Sequence, residues 1–149
     1  MRIAGLVLGV FGLLVPSSCG GSAITRVPDT PSRLVVTHVG PAAGVKSPAS
    51  FTFTVTDPIS IGRLKDAVNE LPAFPSGTVF CPFDDGSAYR LAFMHADGSY
   101  RDLRLEATGC RGLSVDGSDR ETAIALNDPQ LYALLDELEQ RAAPASPIG

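Results

Sequence analysis

A chain of 149 residues with 44% hydrophobic and 19% charged residues, 15 Gly, 12 Pro and no Trp has room for one modest core, and its composition excludes a disordered or fibrous protein. The net charge of −4, with Lys and Arg scattered rather than gathered into a stripe, argues against a nucleic-acid partner. Beyond the N-terminal segment no run approaches the roughly 18 apolar residues that a membrane-spanning helix needs.

In chain order, residues 1–18 read as an export signal: Arg2 carries the positive charge, Ile3 to Val15 form the apolar stretch, and the small residues Ser17 and Ser18 end it. That stretch is short, contains Gly5, Gly9 and Gly12 and stops at Pro16, which argues against a retained membrane anchor. Small residues followed by Cys19 resemble the end of bacterial lipoprotein precursors, in which the Cys is thioether-linked to diacylglycerol and becomes the new N-terminus. The resemblance implies a lipid anchor on Cys19 at the outer face of the membrane. Pro16 stands where that family normally has Leu, so ordinary cleavage near Ser18, with Cys19 a free thiol or a pairing partner in a secreted protein, is the alternative. With Cys19 lipidated, the odd third cysteine is explained and Cys81 and Cys110 remain to form a disulfide in an oxidising compartment.

Residues 19–32 are rich in Gly, Ser, Thr and Pro and read as a flexible tether, followed by a single domain over 33–141. Arg33 to Val39 and Phe51 to Thr56 are rich in β-branched and aromatic residues and predict the first two strands, joined through Gly40-Pro41 and Ser47-Pro48. Asp57-Pro58 opens a helix whose apolar stripe is Ile61, Leu64, Val68 and Leu71, stopped by Pro72 and Pro75. Thr78 to Cys81 is expected to be a strand preceding a hairpin.

The hairpin is legible to the residue. Tyr89, Leu91 and Phe93 alternate on one strand and Leu103 and Leu105 on the next, with Ala96-Asp97-Gly98-Ser99 between. A two-residue Asp97-Gly98 turn would set Leu91 against Arg104 and divide the apolar residues between two faces. A three-residue loop, with Ala96 and Asp97 in a type I turn and Gly98 left-handed, pairs Leu91 with Leu103 and Tyr89 with Leu105. Gly112 to Val115 predicts a further strand. Asp128-Pro129 then opens a second helix with Leu131, Leu134, Leu135 and Leu138 on one face and Asp136, Glu137 and Gln140 on the other. Residues 142–149 form a Pro-containing tail expected to be disordered. The fold class is therefore α+β: a small antiparallel sheet covered on one face by two amphipathic helices, with one disulfide.

Cys81, Pro82, Asp84, Gly86, Tyr89, Leu91 and Phe93, followed by Gly109-Cys110, resemble a pattern of small secreted proteins and lipoproteins of actinobacteria, families mostly without an assigned function. The resemblance spans about residues 57–140. It implies fold and compartment and no reaction.

Candidate chemistry is sparse. His38 and His95 lie in separate strand candidates without Cys, Asp or Glu at metal-ligand spacing, and read as partly exposed strand or turn residues. Cys81 and Cys110 lack redox-motif spacing. Ser114, in Gly112-Leu113-Ser114-Val115-Asp116, lacks the second Gly of a nucleophile elbow. Asp-Gly-Ser at Asp85, Asp97 and Asp116 reads as three turns, none in a calcium-loop frame. Asp84 with Asp85, and Asp136 with Glu137, are neighbours in sequence rather than carboxylates facing across a cleft. The expectation is no catalytic residue, no metal, no small-molecule cofactor and an envelope protein as partner. The leading reading is an exported, lipid-anchored, non-enzymatic binding or assembly protein. The alternative is a secreted protease inhibitor or small extracellular enzyme, the inhibitor presenting Leu71 to Ser76 or Asp116 to Glu121 as its exposed loop.

Overall fold

The computed structural model describes residues 26–28, 30–41, 50–115, 117–118, 121–125 and 128–142. The segment read as an export signal, Cys19, the part of the expected tether before residue 26, Ser47-Pro48, Asp116, Asp119 and the expected tail from residue 143 lie outside them. Six strands and two helices follow in the order β1 (Arg33–Val39), β2 (Phe51–Val55), α1 (Pro58–Glu70), β3 (Ala88–Met94), β4 (Tyr100–Glu106), β5 (Gly112–Val115), β6 (Glu121–Ile124) and α2 (Pro129–Ala142). The strands form one antiparallel sheet in the order β2-β1-β3-β4-β5-β6, giving the expected α+β fold with its single disulfide, Cys81–Cys110. Among the described residues no helix is long and apolar enough to cross a membrane.

Period-2 alternation sends Leu34, Val36, Tyr89, Leu91, Phe93, Leu103, Leu105 and Leu113 to one face, where they meet Ile61, Leu64 and Val68 of α1 and Leu131, Leu134, Leu135 and Leu138 of α2 in one buried cluster. Thr37, Arg90, Asp102 and Arg104 occupy the other, uncovered face. The hairpin has the expected register, Leu91 opposite Leu103 and Tyr89 opposite Leu105. Its loop is closed by the Gly98 N–H donating to the His95 carbonyl at 3.1 Å, with Gly98 at φ 87°. Both helices begin where expected. Asp57 Oδ2 accepts from the Ser60 N–H at 2.9 Å, and Asp128 Oδ1 accepts from the Gln130 and Leu131 N–H groups at 3.1 and 3.0 Å.

Two expectations need correction. Thr78 to Cys81 is not a strand, because β3 is already flanked by β1 and β4 and the sheet offers this segment no free edge beside the hairpin. The connection instead touches the sheet at its far side, through an isolated bridge of Ala73 with Ala123 in β6. That edge strand, Glu121–Ile124, begins at the last residue of the segment Asp116 to Glu121, in which Gly117 and Ser118 are exposed. The tether reading fails at Arg26 and Val27. Val27 is 1% exposed, and the Asn69 side chain accepts from both their N–H groups, at 2.8 and 3.0 Å, while donating to the Val27 carbonyl at 3.0 Å. Arg26 Nη1 also donates to the Val68 and Asn69 carbonyls at 3.2 and 3.1 Å. Since α1 has no basic residue in its last turn, Arg26 brings a cation to its negative end from outside the helix.

Candidate functional site

Between α1 and β3 the chain makes a long excursion without helix or strand, and the way it is held defines the site. At its start the Phe74 N–H donates to the Thr122 carbonyl at 3.3 Å, and the Pro72 carbonyl accepts from the Ile124 N–H at 3.1 Å, so residues 72–74 lie along β6. At its end the disulfide joins Cys81 to Cys110, Cα to Cα 4.7 Å, in the turn after β4. Between these supports, residues 75–82 take part in no backbone–backbone hydrogen bond among the described residues.

The supports beyond the disulfide are polar. The Gly109 N–H donates to the Phe83 carbonyl at 3.3 Å. The Thr108 hydroxyl accepts from the Asp85 N–H at 3.1 Å and shares its own proton between Asp84 Oδ1 (2.9 Å) and Asp85 Oδ1 (2.8 Å). Asp85 Oδ1 further accepts from the Ser87 N–H and hydroxyl at 2.9 and 2.6 Å, and these Ser87 bonds, followed by Thr108, hold its carboxyl below the usual range. The same turn recurs at Asp97 with Ser99, so Asp85 and Asp97 are turn residues as their sequence suggests. Gly109 has to be glycine on two counts: its φ is 66°, and a Cβ there would lie 2.9 Å from the Asp84 Cβ. Gly86, at φ 81°, donates its N–H to Asp84 Oδ1 at 2.9 Å.

What this clamp presents is apolar. Phe80 is 91% exposed and Phe83 81%, on either side of Cys81-Pro82, which are exposed as well. A Phe side chain that moves fully out of water contributes roughly 1.5–3 kcal/mol, and here two rings are kept in water by a covalent bridge and a hydrogen-bonded turn. Ordinary collapse would have hidden them. Sequence reasoning missed both residues. Their signal is aromatic rings in a Pro- and Gly-punctuated stretch without an alternation that would place them in the core.

The other candidates are dispersed. His38 is 7% exposed on the core face, its ring 5.0 Å from those of Phe51 and Tyr89, so it is a buried residue and not the partly exposed one expected; β1 carries it inward at the same period as Leu34 and Val36. His95 lies in the hairpin loop at the opposite end of β3. Ser114 lines a hollow of about 280 Å³ on the uncovered face with Arg90, Asp102, Arg104, Gly117 and Ser118. No histidine lines it, and its carboxylate, Asp102, is paired with Arg90 at 2.6 Å. Asp136 and Glu137 lie on α2, where Glu137 pairs with Arg63 at 3.5 Å and with Arg141. Leu71, in the segment expected to be an exposed inhibitory loop, is 4% exposed and belongs to the core, because the α1 stripe extends to it. Among the described residues no group of three or more His, Cys, Asp and Glu side chains is placed to hold a metal ion. Behind the clamp, Arg111 stacks on the Tyr132 ring at 4.3 Å, and the Tyr132 hydroxyl donates to the Glu106 carbonyl at 2.6 Å, which ties the Cys110 turn to α2.

Compared with known proteins, the chain matches no family model, no curated protein and no solved structure.

Proposed function

We propose that this is an exported, non-enzymatic binding protein, anchored by lipid at Cys19 to the outer face of the membrane, that engages a protein of the cell envelope through the loop bearing Phe80 and Phe83. The observation that carries the reading is the pair of exposed rings fixed on one disulfide-pinned loop. The Cys81–Cys110 bridge supports an oxidising compartment. Aromatic side chains beside a covalent bridge carry large contact area on a restrained backbone, which makes them effective anchors of an interface. The uncovered face of the sheet is a weaker candidate, because Arg90 pairs with Asp102 and Arg104 reaches Glu106 at 3.5 Å, leaving no large field of one sign.

The test is site-specific photo-crosslinking in the native host, with a photoreactive phenylalanine analogue at position 80 or 83 and, for comparison, at 104 on the uncovered face. Adducts to one defined envelope protein from 80 and 83, and none from 104, are expected. Adducts from 104 alone, or no adduct from the loop, would overturn the reading.

A further inference from the structure

Resting on that reading of the loop, we propose that its partner is a serine endoprotease with an aromatic-accepting specificity pocket, which this protein inhibits by laying residues 78–81 into the substrate cleft with Phe80 in the pocket. A protease cleft binds its substrate as an extended strand through main-chain hydrogen bonds, so an occupant needs a protruding segment whose peptide groups are unclaimed. After a bend at Ser76-Gly77, where Gly77 has φ 102°, residues 78–81 offer such peptide groups, with Thr78, Phe80 and Cys81 exposed. They belong to no helix or strand, take part in no backbone–backbone hydrogen bond among the described residues, and between Pro75 and Pro82 each retains its N–H.

The choice between the two rings follows from their carbonyls. The residue that fills the specificity pocket must also offer its carbonyl oxygen to the oxyanion donors of the protease. The Phe83 carbonyl already accepts from the Gly109 N–H at 3.3 Å and is turned toward the scaffold, whereas that of Phe80 is in no backbone hydrogen bond. Phe80 therefore enters the pocket, and Phe83 packs on its rim.

The supports explain why such a loop inhibits and is not consumed. Attack of the protease serine on the Phe80 carbonyl carbon would form an acyl ester and break the Phe80–Cys81 bond, the serine proton passing through the protease's own base to the departing Cys81 amine. Cys81 cannot leave, because its sulfur is bonded to Cys110. The retained amine attacks the ester, restores the peptide bond and returns the proton to the serine. On the other side of the bond, the Phe74 N–H holds the chain to Thr122 in β6. Pinning at both ends also removes in advance much of the ordering cost of binding.

The experiment measures inhibition of chymotrypsin, subtilisin and trypsin by the purified oxidised protein and by Phe80→Ala, Phe83→Ala and Phe80→Arg. All three substitutions fall at exposed positions, and unfolding midpoints confirm that the variants are folded. The expected result is inhibition of chymotrypsin or subtilisin below about 1 µM, weakened at least about 100-fold in Phe80→Ala and less than about tenfold in Phe83→Ala, with trypsin inhibited only by Phe80→Arg. Loss in Phe83→Ala with Phe80→Ala unaffected would overturn the assignment of Phe80. No inhibition of any of the three proteases at about 10 µM would overturn the inhibitor proposal. The crosslinking experiment separates the two failures: a defined adduct from position 80 to a protein that is not a protease leaves the loop as the docking site, and the absence of any adduct removes both readings.

Discussion

Replacing Cys81 and Cys110 together by alanine is expected to cost about 3.5 kcal/mol. The two residues are 29 positions apart, and closing a loop of that length lowers the entropy of the unfolded chain by about 12 cal/mol/K in the chain-entropy treatment. For a domain of this size the loss corresponds to a fall in Tm of roughly 15 °C. The fold itself should persist, because the buried cluster shared by the sheet, α1 and α2 contains neither cysteine, and the Thr108 bonds to Asp84 and Asp85 still tie the loop to the turn after β4. The loop should nevertheless loosen between Phe74 and Phe83, so limited proteolysis should cut there faster in the variant. The assay is urea unfolding of the oxidised protein, the reduced protein and the double variant. The last two are expected to agree within about 1 kcal/mol, since both lack the crosslink. A difference below about 1 kcal/mol between the oxidised protein and the double variant would refute the argument that the bridge acts by restraining the unfolded chain.

Asn69→Ala removes three hydrogen bonds to Arg26 and Val27 and should cost about 1–3 kcal/mol in urea unfolding while releasing the residue 26–27 segment, seen as faster amide exchange at those two positions. Gly109→Ala should cost more than about 1 kcal/mol, since the residue has φ 66° and the new Cβ meets Asp84; the same variant should weaken any loop-dependent binding. Tyr89 is held neutral by burial, and next by Asp136 and Glu139, so that its pKa is pushed up to about 12. The unfolded chain releases this proton near pH 10, so the contribution of Tyr89 is complete below about pH 10 and is lost as pH rises toward the folded value, by no more than about 1.4 kcal/mol per pH unit. Unfolding from pH 9 to 11 should therefore fall less steeply in Tyr89→Phe than in the unaltered protein. Thr108→Val should leave the core intact and raise the mobility of residues 83–87, detectable as faster amide exchange at Asp85, whose N–H loses its acceptor.

Where a residue's fate depends on its own period or cap, the sequence was sufficient. β1, both helices and the hairpin register followed from alternation, from Asp-Pro starts and from keeping Leu91, Tyr89, Leu103 and Leu105 on one face. The disulfide followed from counting cysteines in a chain whose N-terminal segment reads as an export signal. What failed depends on partners distant in the sequence. Thr78 to Cys81 has a strand-like composition, but a strand needs a free edge, and the insertion of β1 beside β3 leaves none there. Arg26 and Val27 look like tether because their value lies in Asn69 and the end of α1, more than forty residues away. The candidate site was half legible. Cys81, Asp84, Gly86, Gly109 and Cys110 stand out in the sequence, and their physical role is specific: they shape the loop and fasten it to the turn after β4. Phe80 and Phe83 were not legible, since a large aromatic residue is ordinarily a core candidate, and only the geometry of the clamp reveals that these two are kept in water.

The central claim, that the pinned aromatic loop is the surface through which this protein meets its partner, is tested most directly by hydroxyl-radical footprinting of the protein in intact native cells and after purification. Tyr100, 66% exposed at the opposite end of the β3–β4 hairpin, serves as the internal reference. The account predicts that Phe80 and Phe83 are oxidised several-fold less in cells than in the purified protein, with Tyr100 oxidised equally in both. Equal oxidation of Phe80 and Phe83 in the two samples would contradict it.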